Sequence, residues 1–517
     1  MSNLPSLTVR GRIAIALCAL CCLAMPSARL AAQADKPAAD AEKSAAAPAK
    51  PAPEKDELPP LPPDARAQQT MQLDGKTLHY TVTVGALPTR DKDGKVAGQV
   101  VVTSYTMPGD DRPVTFALNG GPGASTVFLN FGAIGPKHLE GPGNKGDSPS
   151  DPIVLADNPG TWLDFTDLVF IDPVGTGFSR STVSEADTKK LFYTTEPDIE
   201  YLSRIIYDWL VKNDRLSSRK YFVGESYGGF RGPRITYYLQ SQLGVAFNGV
   251  VLVSPYLNPT IQDNKDLSPV PWMVTLPSIT AANLERQNKL TPEAMADVIA
   301  YTEGEYANTL IKGRSDQPAT DRMIARVTQM TGLDPEFVKF SGGRLDIGAY
   351  LREVHREEGK LGSVYDSNVT SYDPFPYAPD QEANDPLLAS MIAPMTSAMV
   401  DFVTRVVGWK VDARYNALSY DVGRQWDRGG ADIRRGAVPQ LREAVAADPK
   451  LRVLIVHGWN DLSCPFMGSV LTVGQMPVMG DPTRVAVKEY PGGHMFYTRE
   501  SSRAELRKDV MEMYAKH

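Results

Sequence analysis

Short apolar runs set the rhythm of the chain. Alternating apolar and polar positions over residues 77–84 and 99–107 predict two strands, with Asp93-Gly94 as a turn between them. Residues 114–118, 168–171, 221–223 and 249–253 are brief and almost wholly apolar, the pattern of strands buried on both faces. Residues 198–211 place Ile199, Leu202, Ile205, Ile206 and Leu210 on one face of a helix. Strands alternating with helices predict an α/β fold, a mostly parallel sheet with helices on both sides. Between about 260 and 420 the rhythm changes. Thr291-Pro292 is a helix start, Met295, Val298 and Ile299 share a face, and helical stretches follow near 321–330 and 346–358. The expected organisation is an α/β core in two parts, 67–260 and 421–517, split by a mainly helical insertion, or cap, at 261–420. Strand patterns at 453–456 and 485–490 and a last helix near 501–514 belong to the second part.

The N-terminus has the make-up of an export signal. Arg10 and Arg12 precede an unbroken apolar run at 13–25, too short to span a bilayer, and Ala32-Gln33-Ala34 is a small-x-small cleavage site. A mature chain starting near Asp35 is expected, outside the cytoplasm, secreted or periplasmic. Cleavage after residue 34 removes three arginines and no acid, taking the net charge from −7 to −10. It also removes three of the four cysteines, leaving only Cys464 and hence no internal disulfide. Residues 35–66 are rich in Ala, Pro, Lys, Asp and Glu and read as a disordered linker. The acidic balance argues against a nucleic-acid partner. No apolar run of the mature chain reaches the ~18 residues of a membrane helix.

Chemistry concentrates at predicted strand ends. Gly224-Glu-Ser226-Tyr-Gly228 matches G-x-S-x-G, the strained strand-to-helix turn that exposes a nucleophilic serine. The pattern alone would arise by chance about once in four chains of this length, but here a strand precedes it and residues 230–239 can form the helix behind it. A serine needs a base oriented by a carboxylate, and in this architecture the chain order is serine, acid, histidine. Of the six histidines, His355, His457, His494 and His517 follow Ser226. His517 is terminal, and His355 lies on a charged helix whose solvated face is expected to carry it. His494 follows the 485–490 strand on a glycine loop, and Asp461 follows the 453–456 strand. Ser226, Asp461 and His494 therefore obey the order, with His457 as a packed neighbour. Backbone donors for an oxyanion are expected at Tyr227, just after the serine, and in Asn119-Gly120-Gly121-Pro122-Gly123. No phosphate loop, H-E-x-x-H or paired-cysteine pattern is present, so neither cofactor nor metal is expected.

Together these segments resemble the serine carboxypeptidase family of α/β-hydrolases. Asn119-Gly-Gly-Pro-Gly-Ala-Ser-Thr126 is similar to the family's N-G-G-P-G-C-S-S. Asn158-Pro-Gly-Thr-Trp162 and Asp172-Pro-Val-Gly-Thr-Gly-Phe-Ser179 resemble its N-P-x-S-W and D-Q-P-x-G-x-G-F-S. Gly224-Glu-Ser-Tyr-Gly-Gly229 and Gly492-Gly-His-Met495 resemble its nucleophile and histidine motifs. The resemblance implies an exported bacterial enzyme that hydrolyses peptides from the free C-terminus. It implies that Asn119, Gly120 and Glu225 hold the substrate carboxylate, and that Gly121 and Tyr227 form the oxyanion hole. An esterase or acyltransferase on the same three residues, or a non-catalytic binding protein of the same fold, are the alternatives. The family's second Glu, which pairs with the one before the nucleophile, falls at Ala133. Burial can still hold Glu225 neutral, but without that partner it is expected to ionise at lower pH than in a paired site. Either Asn119 and backbone donors then dominate and neutral pH is tolerated, or, the favoured outcome, carboxylate recognition weakens and C-terminal amides and esters compete.

Overall fold

Wholly apolar strands can only be satisfied between two layers, and the sheet is built that way. The computed structural model describes residues 59–109, 111–141, 148–378, 381–427 and 434–516. Nine strands follow one another across the sheet: β1 (Ala65–Leu73), β2 (Lys76–Arg90), β3 (Val96–Thr106), β4 (Val114–Leu118), β5 (Asp167–Ile171), β6 (Lys220–Glu225), β7 (Gly249–Val253), β8 (Arg452–Gly458) and β9 (Val485–Tyr490). Their spatial order is β1-β2-β3-β5-β4-β6-β7-β8-β9, and the two-residue strand Arg180–Ser181 pairs with β3 as a tenth. Pairing is antiparallel from β1 to β5 and parallel beyond.

The period-two alternation of the strands divides the core. Ala117, Val223, Val251, Val253, Leu454 and Val456 face one layer, with Leu506, Val510 and Met513 of the C-terminal helix Glu500–Tyr514. Phe116, Phe222, Leu252 and Ile455 face the other, with Ile199, Leu202 and Ile206 of α1 (Thr195–Lys212) and Phe230 and Ile235 of α2 (Tyr227–Tyr238). Helices thus cover both faces, the α/β-hydrolase arrangement. The carboxyl ends of β4, β6, β8 and β9 open on one edge, where such sheets place ligands.

The inserted region differs from the expectation of one cap over 261–420. Helices α3 (Val270–Arg286), Pro292–Tyr301, Gln317–Thr331 and Ile347–Glu353 enclose a separate cluster around Val274, Ile279, Met323, Val327 and Tyr350. Helix α4 (Pro386–Asp401) instead buries Met391, Met395 and Met399 in the core under the sheet. Its apolar face satisfies the sheet, and a helical pattern alone does not reveal which cluster a helix joins. Among the described residues, Pro386–Val406 is the one stretch long and apolar enough to cross a membrane, and its buried face is part of that core.

The expected linker also ends earlier than residue 66. Leu61 packs on the core and Asp64 accepts a 2.7 Å bond from Lys212. β1 begins at Ala65 and pairs with β2 along its whole length. Its polar, half-exposed positions hide it from a hydrophobicity pattern. The expected leader at 1–34 and residues 35–58 of the linker lie outside the described residues.

Candidate active site

Ser226 sits at the junction of β6 and α2 with φ +59°, a left-handed conformation that costs a non-glycine residue energy and is held by its surroundings. Its N–H donates to Val253 at 2.9 Å, while its carbonyl accepts from Gly229 at 2.8 Å and Tyr256 at 3.0 Å. The flanking glycines are required by space. A Cβ on Gly224 would run into the Gly228 carbonyl, and one on Gly228 into the Leu118 carbonyl of β4. Tyr227 opens α2, so its N–H has no carbonyl within the helix to meet. Gly120 abuts the turn so closely that a Cβ there would strike Tyr227 N and Ser226 Cβ. The Asn119–Gly121 loop therefore lies directly against the Ser226 turn.

His494 and Asp461 come from the loops after β9 and β8. His494 Nδ1 is 2.8 Å from Asp461 Oδ2, and both side chains are buried. Asp461 Oδ1 accepts from the N–H groups of Ser463 and Cys464 at 2.8 and 2.9 Å, which fixes the carboxylate in place. Burial opposes the imidazolium, but Asp461 outweighs it, so the His494 pKa is raised. The inserted region reaches into this arrangement. Tyr365 accepts the His494 N–H at 2.6 Å, and Val364 accepts the Leu462 N–H at 3.1 Å. Asp366 binds Arg499 at 2.8 Å, and Arg499 also pairs with Glu285 of α3.

The other histidines serve elsewhere. His457 is fully buried, its Nε2 2.8 Å from Ser469, and burial lowers its pKa to about 4, so its ring is neutral. His355, expected on a solvated face, is buried with Nε2 2.9 Å from the Ser367 carbonyl. The chain turns there from helix into the short strand Lys360–Gly362, and the ring ties it to the Ser367 carbonyl beyond that strand.

Asn119 and Glu225 meet behind the serine. Asn119 Nδ2 donates to Glu225 Oε2 at 3.0 Å, its Oδ1 accepts from Leu129 N at 3.1 Å, and its carbonyl accepts from Arg231 at 3.0 Å. Arg231 is locked in turn by Asp198 of α1, through bonds of 2.7 and 3.1 Å, and stacks on Tyr227 and Trp426. Asp172 accepts from both the N–H and the hydroxyl of Thr126, tying two of the sequence motifs together. The Tyr497 hydroxyl donates to Glu225 Oε2 at 2.7 Å. Burial pushes the Glu225 carboxyl up to about 7, against the pull of His494, Tyr497 and Asn119. Burial, with the nearby Asp461 carboxylate adding to it, thus holds Glu225 up without a second Glu beside it.

A cavity of about 250 Å³ unites these groups. Asn119, Gly120, Gly121, Glu225, Ser226, Tyr227 and His494 line it, whereas Asp461 stands behind His494. Phe128, Leu388, Trp426 and Met495 supply apolar walls, and Cys464 lies beside the Ser226 hydroxyl. Sequence reasoning missed Arg231, Asp198, Tyr365 and Tyr497. Two arginines, Arg231 and Arg234, in the helix packed behind the serine were a usable signal for Arg231, whereas nothing in the local sequence singled out Tyr497. Among the described residues, no group of three or more His, Cys, Asp or Glu is arranged to hold a metal.

The family model for serine carboxypeptidases matches residues 99–501. Serine carboxypeptidase-like 50 of Arabidopsis thaliana is 34% identical over 137 residues, 26% of this chain and 28% of that protein. Serine carboxypeptidase S10 family member 1 of Dictyostelium discoideum is 31% identical over 166 residues, 31% of this chain and 36% of that one. The matched stretches thus span about a third of these relatives. In fold, the chain is similar to Kex1, a prohormone-processing carboxypeptidase from Saccharomyces cerevisiae, with a TM-score of 0.52 at 15% identity, over 84% of this chain and 91% of the other.

Proposed function

The chain belongs to the serine carboxypeptidase family, and on that premise we propose that it removes residues from the free C-terminus of peptides through an acyl-enzyme. Ser226 attacks the scissile carbonyl. His494, with Nδ1 engaged by Asp461, has Nε2 free to accept the serine proton and return it to the leaving amine. The N–H groups of Gly121 and Tyr227 receive the oxyanion, and water then releases the acyl group. Asn119, Gly120 and Glu225 receive the terminal carboxylate. A protonated Glu225 can donate to that carboxylate, where an ionised one would repel it. Among the described residues, no lysine, arginine or aspartate lines the cavity, which favours substrates with apolar side chains next to the cut bond. The signal-like N-terminus supports export, and we place the activity outside the cytoplasm.

One observation carries the reading: a serine on a strained turn shares its cavity with a histidine fixed by a buried aspartate. The test is incubation with blocked dipeptides and their C-terminal amides, alongside labelling by a fluorophosphonate. The expected result is labelling that Ser226→Ala abolishes, and preferred release of the C-terminal residue from the free acids below pH 7. Labelling with hydrolysis of esters only would support the esterase alternative, and absence of labelling the non-catalytic one.

A further inference from the structure

Glu225 is the pivot of carboxylate recognition in the reading above, and the inference here rests on that reading. Its surroundings are asymmetric. Asn119 Nδ2 and the Tyr497 hydroxyl both donate to Oε2, at 3.0 and 2.7 Å. No described residue bonds Oε1, and Glu225 lines the cavity. Tyr497 itself is fully buried in the short helix Phe496–Thr498, three residues after His494. Its ring lies over Gly132, where a Cβ would stand only 3.0 Å from the ring edge. The hydroxyl is therefore held in one place by packing, 272 residues along the chain from the carboxyl it serves.

We propose that Tyr497 is a positioning residue for substrate carboxylate recognition: by occupying Oε2 together with Asn119, it directs the Glu225 proton to Oε1, facing the substrate, and sets the pH at which that proton is lost. Two donors on one oxygen use its lone pairs, so a proton on the carboxyl resides on the other oxygen. From Oε1 it can be donated to an incoming carboxylate, a short charge-assisted bond. The same two donors favour the ionised form, so they limit how far burial raises the carboxyl. Other groups act on Glu225 as well. The His494 imidazolium lowers its pKa, the Asp461 carboxylate raises it, and the Cys464 thiol is close enough to sense its charge. Only the Tyr497 hydroxyl can be deleted without changing a charge or the shape of the cavity wall.

The sign follows directly. Recognition requires protonated Glu225, so activity on acids falls as pH rises through about 7. Tyr497→Phe removes a donor that favours the anion, so the Glu225 pKa rises and the fall moves to higher pH. A hydrogen bond to a charged group is worth enough to shift it by about one pH unit, which at pH 8 to 9 raises the protonated fraction roughly five- to tenfold.

The experiment measures kcat/KM for a blocked dipeptide acid and its amide between pH 5 and 9. The variants are Tyr497→Phe, Glu225→Gln and the two combined. The expected results are an alkaline limb seen with the acid only, moved up by about one unit in Tyr497→Phe. That limb is absent in Glu225→Gln, and adding Tyr497→Phe has no further effect on the profile. A limb that stays in place, or an equal change for acid and amide, would overturn the role of Tyr497. If the wild type lacks an acid-specific limb, carboxylate recognition by Glu225 itself falls, and this inference falls with it. If Tyr497→Phe does not fold, the wild-type carboxyl stretch in infrared difference spectra decides: a proton that does not titrate near 7 would equally overturn the assignment.

Discussion

Replacing Arg231 by methionine tests how the substrate loop is held. Arg231 and Asp198 are both buried, 1% and 0% exposed, and joined by two bonds. The methionine keeps most of the volume but leaves Asp198 without its cation, a change that typically costs about 3–5 kcal/mol. The compact unit from Leu58 to His517 holds 460 residues. At about 2.1 cal/mol/K per residue its unfolding entropy is roughly 1 kcal/mol/K, so Tm should fall by about 3–5 °C in calorimetry. Burial already raises the Asp198 carboxyl, with Arg231 opposing that rise. Without Arg231 it rises further above its unfolded value. The stability of the protonated form is then fully present below about pH 4 and is lost as pH climbs through the folded value. The deficit should therefore be larger at pH 8 than at pH 5. Arg231→Met combined with Asp198→Leu should recover most of the lost Tm, since an apolar pair can replace a buried ion pair. It should not recover kcat/KM on free acids, because the Asn119 carbonyl still lacks its 3.0 Å donor. A Tm within 1 °C of wild type at pH 8, or full acid hydrolysis by the double variant, would refute this account.

Ser226→Ala, Asp461→Ala and His494→Ala should each lower kcat by on the order of 10⁴ to 10⁶. His457→Gln should stay within a few-fold of wild type at an unshifted pH optimum, because its buried, neutral ring bonds to Ser469; steady-state kinetics with fluorophosphonate labelling separates the two cases. Gly228→Ala forces a methyl into the Leu118 carbonyl and should abolish labelling, with a lowered Tm read in the same samples.

The readable parts of the chain were those whose physics is local. β4 to β8 announce themselves because each carries the short apolar run that burial on both faces requires, with polar residues towards their ends. The Ser226 turn is legible because its neighbours must lack side chains, and strand ends nominated Asp461 and His494, which lie 2.8 Å apart. What escaped depends on pairing across long distances. β1 is polar on its outer face and is specified by its register with β2. Helix α4 joined the main core because Met391 and Met395 fit beneath the sheet, a property of the cavity it fills rather than of its own pattern. The surroundings of Glu225 escaped for the same reason: Tyr497, which bonds its carboxyl, is distant in sequence, and the burial that dominates its ionisation is a property of the assembled site.

The segment around Tyr365 has a consequence for how such an enzyme can change. Val364 and Tyr365 provide the carbonyls that anchor the loops bearing Asp461 and His494, and Asp366 fastens Arg499 just beyond. The inserted region is thus part of the mounting of the histidine and its acid, as well as a wall above the serine. A donor segment grafted between residues 260 and 420 would have to reproduce two backbone acceptors to within a fraction of an ångström. New substrate preferences are then more accessible through single side chains lining the cavity, such as Leu388 or Trp426, than through exchange of the whole insertion. The modular region of this architecture is smaller than its topology suggests.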